Sequence, residues 1–441
     1  MMTTNETFDF NTEFAEAYSL MENSRRHIFV TGQAGTGKST LLGYFRDHTT
    51  KNVVVLAPTG VAAVNVKGQT IHSFFHFRPD ITPDSVRKIY LRKEARKLFA
   101  NLETIIIDEI SMVRADLLDC IDLFLRMHGP DGRKPFGGVQ MIFIGDLFQL
   151  PPVVTRREEE IFRDHYESPY FFSARVMREL DLACIDLSRI YRQADDEFIA
   201  LLQSVRTNTM QAEDLALLNE RCAPGFAPDD EEFYIYLTTT NALADKMNAR
   251  RLASVPGEPF LFQATREGAF EGRALPTQEH LKLKTGAQVM LLNNDPAGQW
   301  VNGSIGRITS VAEDLAETDI IRVELEDGRE VEVGPFRWDM YKFYYDEVTK
   351  EVESESVGAF IQYPLKLAWA VTVHKSQGKT FQRVVLDVGR GAFAHGQTYV
   401  ALSRCTHLNG LILRRPLNLR DIIVDPRIGK FMRGLEYQGK N

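Results

Sequence analysis

The sequence predicts an α/β protein with two successive parallel-sheet domains, the second interrupted by a small inserted β-barrel. Three observations predict it. Apolar strand-like runs alternate with helix-compatible stretches, each run closes on a polar cluster, and one mid-chain segment switches to short alternating runs. In the first half the runs are 27–31, 52–56, Thr104–Ile107 and Gln140–Ile144. The pattern returns at 233–237, 367–373, 383–386 and 410–413. Ligands of parallel α/β sheets gather at the carboxyl ends of strands, so the polar clusters mark where chemistry is expected.

Between the two halves of the second domain, over about 286–358, the texture changes. Ile305-Gly306-Arg307-Ile308, and Ile321-Arg322-Val323-Glu324-Leu325 followed by Glu326-Asp327-Gly328-Arg329, read as hairpins of the inserted barrel. The expected division is therefore 1–180 for the first domain, with a small accessory insertion at about 64–100. The second domain is expected at 181–285 and 359–441, around an insertion at 286–358. Residues 87–97 read as a basic helix, either a plain solvated face or a surface that meets a nucleic-acid strand.

A chain of 441 residues, 44% hydrophobic, can bury several cores. No apolar stretch reaches the length of a membrane span, and Met1 to Phe14 is polar and acidic. No membrane partner is expected, and the expected setting is the cytoplasm of a bacterial or phage-infected cell. Cys120, Cys184, Cys222 and Cys405 are widely spaced and form no C-x-x-C, which points to reduced thiols and no zinc site. The net charge of −8 is concentrated: residues 313–355 hold 15 acidic and 5 basic side chains, against 45 and 47 elsewhere. The rest of the chain can therefore carry basic grooves.

The first strand runs into Gly32-Gln33-Ala34-Gly35-Thr36-Gly37-Lys38-Ser39-Thr40, a G-x-x-x-x-G-K-S loop with a helix-compatible stretch behind it. The glycines let backbone N–H groups turn inward around an anion, and the helix start aims its positive end at the same point. Lys38 then reaches the β/γ-phosphates, and the Ser39 hydroxyl can ligate Mg²⁺. The third strand closes on Asp108 and Glu109. Asp108 suits a metal held through water, and Glu109 suits a general base for the attacking water. Gln149, after the fourth strand, has an amide able to donate to a γ-phosphate and accept from water, or is a plain surface glutamine. Positive charge on the developing anion would come from Arg192 and Arg404, both in the second domain; for each, a structural ion pair is the alternative.

Read together, these motifs resemble the superfamily-one helicases, and within them the RecD-like branch that contains the petite-integration-frequency (PIF) helicases. The resemblance runs from about Ile28 to Leu413. It is carried most specifically by Ala57-Pro58-Thr59-Gly60-Val61-Ala62-Ala63, Gln69-Thr70-Ile71-His72-Ser73-Phe74-Phe75, Thr238-Thr239-Thr240-Asn241 and Val373-His374-Lys375-Ser376-Gln377-Gly378-Lys379-Thr380. The stretch closing on Lys134-Pro135-Phe136-Gly137-Gly138 looks like the segment that marks PIF-type enzymes, and Asn302-Gly303-Ser304-Ile305-Gly306 fits the family's SH3-like barrel.

The resemblance implies two RecA-like domains, ATP and Mg²⁺ as cofactors, and 5′-to-3′ movement on single-stranded DNA with unwinding of forked or structured DNA, including G-quadruplexes. Replication or recombination proteins as partners, and a monomer in the free state, come with it. The track for the strand would comprise Pro58, Thr59, Gly60, His72, Ser73, Phe74, Thr238, Thr240, Asn241, His374, Lys375 and Ser376. Hydroxyls and N–H groups there meet phosphates, while His72, Phe74 and His374 stack on bases. For Phe74 and Phe75, a place in the core is the alternative. Gln377 and Gly378 would face the nucleotide from the same loop whose His374 and Ser376 face the strand. The family's upstream adenine-reading glutamine is missing between Met1 and Thr31, with Asn11 as a substitute. A DNA-stimulated translocase without strong unwinding, a RecD-type subunit and a nucleotide-switched binding protein are the other readings.

Overall fold

The computed structural model describes residues 11–438 apart from 155–161, 163, 192–194, 269, 271–274, 314–318, 390, 392 and 393. Six strands make the first sheet: β1 (His27–Gly32), β2 (Val53–Ala57), β3 (Gln69–Thr70), β4 (Thr104–Ile107), β5 (Gln140–Ile144) and β6 (Leu182–Leu187). All pair in parallel in the order β3-β2-β4-β5-β1-β6. Their Ile- and Val-rich runs are buried because helices cover both faces. Alternation along β1 divides the core. Ile28 and Val30 pack with Phe14, Leu41 and Phe45 on one face, whereas Phe29 joins Phe75, Phe124 and Phe171 on the other. The first sheet runs past residue 180, since β6 pairs along the whole of β1.

The second parallel sheet has the order Ala370–Thr372, Ile235–Thr238, Val384–Leu386, Leu411–Leu413. The expected strand at 367–373 divides in two. Leu365–Leu367 pairs antiparallel with Gln288–Leu291 in a separate five-stranded sheet, and the second parallel sheet takes Ala370–Thr372. That five-stranded sheet also holds Ile305–Glu313, Asp319–Leu325 and Glu330–Val333, around Val289, Leu291, Ile308, Val323 and Trp300. Strands outside 286–358, at Phe260–Gln263, Thr265–Gly268 and His280–Leu283, extend the β region.

A long hairpin, Phe336–Tyr345 with Val352–Gln362, reaches back to the first domain. Its Val352 N–H donates to Asn52 Oδ1 at 2.8 Å, Lys97 pairs with Glu347, and Phe343 meets Phe74 edge-on. The expected basic helix over 87–97 begins only at Lys93, so Arg87 to Arg92 lie outside it. The segment around Phe136 is a tight turn: a Cβ on Gly137 would come within 2.1 Å of the Leu125 carbonyl oxygen.

Candidate nucleotide site and its interdomain contacts

The end of β1 and the helix Lys38–His48 form the cradle. Gly37 caps that helix in the left-handed region at φ 85°, and Gly35 is at φ 87°. A Cβ on Gly32 would stand 2.6 Å from both the Leu187 carbonyl oxygen and Thr36 Oγ1, so only glycine lets the chain pass. Lys38 Nζ donates to the carbonyls of Gly32 (2.7 Å) and Gln33 (2.8 Å), which centres its ammonium inside the loop. Ser39 and Thr40 are exposed in the first helical turn, while Ala34 and Thr36 are buried. A cradle that a Cβ would fill, with an ammonium at its centre, fits a nucleotide's phosphates.

β4 delivers the carboxylates. The Asp108 N–H still bonds the Leu56 carbonyl at 2.9 Å, keeping it in register with β2. Glu109 then turns the chain at φ 52°, ψ 43°, a left-handed conformation that costs a non-glycine residue on the order of 1–3 kcal/mol. Both carboxyls are pushed above the ordinary carboxylate range, chiefly by burial; for Glu109 the neighbouring Asp108 adds to the effect. Lys38 opposes the shift at both. Among the described residues no group of three or more His, Cys, Asp or Glu could hold a metal by itself. That donor set suits Mg²⁺, which takes one or two protein oxygens and completes its shell with phosphate and water.

The second domain enters this site from far along the chain. Gln377 Nε2 lies 3.2 Å from Glu109 Oε2 and 3.4 Å from Gln149 Oε1, donating to both. Gln149 is buried, with its amide 3.5 Å from Asp146, so the plain surface reading does not hold. Arg404 is 1% exposed. Its guanidinium donates to the carbonyls of Val400, Ser376 and Lys379 and to Ser403 Oγ, fixing the loop that carries Gln377. Its charge also favours ionised Glu109. Gly378 turns that loop at φ 76° and is exposed. Arg192 lies outside the described residues.

Along the expected strand track, the hydroxyls divide into two kinds. Thr59 and Thr240 cap the helices Gly60–Asn65 and Asn241–Ser254, accepting N–H bonds from Ala62 and Leu243 and keeping their own hydrogens to donate. Thr238 and Ser376 are fully buried, and their hydrogens go to the carbonyls of Thr240 and Val373. The expectation that those two hydroxyls meet phosphates is corrected accordingly. Phe74 is corrected too: it is 4% exposed and packs edge-on against Phe75 and Phe99. His72 is half-buried, and Ser73, Asn241, His374 and Lys375 are exposed, as the track requires; Pro58 and Gly60 are partly exposed.

Several contributors carried no readable sequence signal. Tyr399 OH accepts the Ala34 N–H at 3.1 Å, and Gln203 accepts from the Gln33 amide, each joining the second domain to the cradle. Asp146 and Arg206 form a buried ion pair at 3.2 Å beneath Gln149. Lys366 is pushed down to about 7 by burial and by Lys379 and Lys375. Asn11, the proposed glutamine substitute, accepts the Phe14 N–H through Oδ1 and donates to Tyr191 OH through Nδ2.

The PIF1-like helicase family matches residues 10–215. The ATP-dependent DNA helicase Pif1 of Bdellovibrio bacteriovorus is 32% identical, over 97% of this chain and 92% of its own length. The ATP-dependent DNA helicase PIF1 of Emericella nidulans is also 32% identical over 92% of this chain, which spans only 60% of that relative. Among solved structures, Bacteroides Pif1 with ADP-AlF4 aligns with a TM-score of 0.89 at 35% identity, covering 98% of both chains. The same Bacteroides protein bound to single-stranded DNA aligns at 0.68 with equal identity and coverage. The chain belongs to the PIF1-like helicase family.

Proposed function

We propose that this chain is an ATP-dependent DNA helicase that moves 5′ to 3′ along single-stranded DNA and opens duplex ahead of it. The observation that carries the reading is Gln377: one amide touches the base candidate Glu109 while the same loop presents exposed His374 and Lys375. A loop engaged at both ligands lets nucleotide state bias the grip on DNA. Under this reading residues 1–187 form the cradle domain, β6 included, with 64–100 accessory to it. Residues 188–259 and 368–441 form the second domain, and the β region between them, 260–367, holds the barrel and the long hairpin.

Lys38 and the cradle N–H groups hold the β- and γ-phosphates, and Ser39 and Asp108 would hold Mg²⁺, which neutralises phosphate charge when bound. Glu109 takes the proton of the attacking water, and Gln149 orients that water. Arg404, with Arg192, supplies charge for the transferred group. On the strand side, Thr59, Gly60, Ser73, Thr240 and Asn241 meet phosphates from helix starts, and His72 and His374 stack on bases. The relatives' DNA ligands support single-stranded and forked DNA as the partner. No helix of the described residues is long and apolar enough to cross a membrane.

The test compares 5′-tailed with 3′-tailed duplexes in the presence of ATP, with Glu109→Gln as the inactive control. Unwinding of the 5′-tailed substrate is expected. Unwinding of the 3′-tailed substrate alone overturns the polarity, and ATP hydrolysis indifferent to DNA overturns the helicase reading.

A further inference from the structure

Three segments of the chain meet on one buried imidazole. His395 is 6% exposed; its Nε2 lies 2.9 Å from the Leu147 carbonyl oxygen, and its Nδ1 accepts the Asp425 N–H at 2.9 Å. Because Nδ1 accepts, the ring proton sits on Nε2 and is donated to Leu147, so a single neutral tautomer satisfies both partners. Burial holds the ring below its ordinary titration range, against the opposing effects of the Leu147 carbonyl, Asp425 and Asp146. The Tyr170 ring meets it edge-on at 6.1 Å.

Leu147 belongs to the loop after β5 that carries Gln149. Gly396 presses on the same loop: a Cβ there would stand 2.4 Å from the carbonyl oxygens of both Phe148 and Gln149, and φ 69° favours glycine as well. The helix Gln397–Leu402 starts at this point, brings Tyr399 to the Ala34 N–H and leads to Arg404. The third segment is the end of the chain. The Gly396 N–H donates to the Ile423 carbonyl at 3.0 Å, and just past Asp425 the helix Pro426–Gln438 enters the first domain's core. There Ile428 is fully buried, and Phe431 stacks on Phe172 at 4.6 Å. The chain thus crosses from the second domain back to the first beside His395. A cleft turns about such element-terminal crossings, where the relative movement of its walls is smallest.

We propose that His395 is a positioning residue for ATP hydrolysis: from the pivot between the domains it fixes the Leu147–Gln149 backbone, so that Gln149 keeps its aim at the attacking water while Gln377 and Tyr399 move with the cleft. This rests on the reading of Gln149 as the residue that orients that water. The test measures kcat and KM for ATP, with Mg²⁺ and saturating single-stranded DNA, on the full chain. His395→Ala is expected to lower kcat by about tenfold and to leave KM within about twofold, because the cradle does not touch the imidazole. Two closer variants separate the two hydrogen bonds and serve even if the alanine variant does not fold. His395→Gln can place an amide N–H near the position of Nε2 and is expected to restore kcat to within about threefold; His395→Asn can offer an oxygen in place of Nδ1 and is expected to remain slow. In a Gln149→Ala background, His395→Gln and His395→Asn are expected to hydrolyse ATP at the same rate to within about twofold, since the residue acts through Gln149. A loss that Gln does not relieve, that Asn relieves equally, that falls on KM, or that persists undiminished without Gln149 makes His395 a packing residue and overturns the proposal. So does a folded His395→Ala enzyme as fast as the wild type. If Gln149→Ala alone hydrolyses ATP at the wild-type rate, the reading of Gln149 falls and takes the proposal with it.

Discussion

On the proposed reading the two parallel sheets serve one nucleotide by different means. The first would build its grip from neighbours in sequence, one unbroken run from Gly32 to Thr40 plus the adjacent pair Asp108 and Glu109. The second contributes single side chains from distant places: Gln377 on Glu109 and Gln149, Tyr399 on Ala34, Gln203 on Gln33. A contiguous loop can hold phosphate whatever the other domain does. A contact between domains exists only while both keep one relative placement, so binding is local and timing is shared.

The sharpest break of this comparison removes the local chemistry and leaves the shared contacts in place. Glu109→Gln keeps size and hydrogen-bonding reach but cannot take a proton. DNA-stimulated ATP hydrolysis is expected to fall by about 10²–10⁴, with KM for ATP held within a few-fold. Steady-state kinetics with and without oligonucleotide check it, and a loss smaller than tenfold moves the base away from Glu109.

Gln377→Ala makes the opposite cut. The cradle, Lys38 and the carboxylates stay whole, and the contact from the second domain disappears. Basal hydrolysis is expected to persist within a few-fold, while stimulation by DNA drops by roughly 5–150-fold, the usual span of coupling between sites. Equal loss of basal and stimulated rates would make Gln377 part of the local chemistry and remove the distinction between the domains.

The same division explains what was readable from sequence. β4 and β5 are found at the expected bounds, Thr104–Ile107 and Gln140–Ile144, because a strand buried on both faces shows as a continuous apolar run. The cradle was equally plain, since its chemistry requires particular residues at fixed spacing. Tyr399 gave no sign: it sits in the buried helix Gln397–Leu402, and only the packing of one domain on the other brings its hydroxyl to Ala34. The division of 367–373 between two sheets was hidden for a related reason. Ala368 and Trp369 are as buried as the strands they separate, so hydropathy does not show the break. Phe74 and Ser376 were legible by type but not by direction. Residue identity offers a ring or a hydroxyl, and the fold decides whether it faces solvent or core.

Direction is also where the smallest effect separates the readings. Thr59 follows the end of β2 by two residues and Thr238 ends its own strand, yet the two hydroxyls differ in where the hydrogen goes. Thr59 Oγ1 accepts from the Ala62 N–H and can still donate outward, whereas Thr238 Oγ1 donates to the Thr240 carbonyl from a fully buried position. Valine has the shape of threonine without the hydroxyl. Thr59→Val is therefore expected to weaken oligonucleotide binding by about 1 kcal/mol, the net worth of one hydrogen bond, and Thr59→Ser to restore most of it. Thr238→Val is expected to leave binding unchanged and to lower thermal stability by at most about 1 kcal/mol, because the Thr240 carbonyl loses one of its two donors and keeps the Ala244 N–H. Fluorescence anisotropy beside thermal unfolding separates the two. If Thr238→Val weakens DNA binding as much as Thr59→Val, the buried hydroxyl must turn outward when the strand arrives, and the second domain would then rearrange locally as well as move.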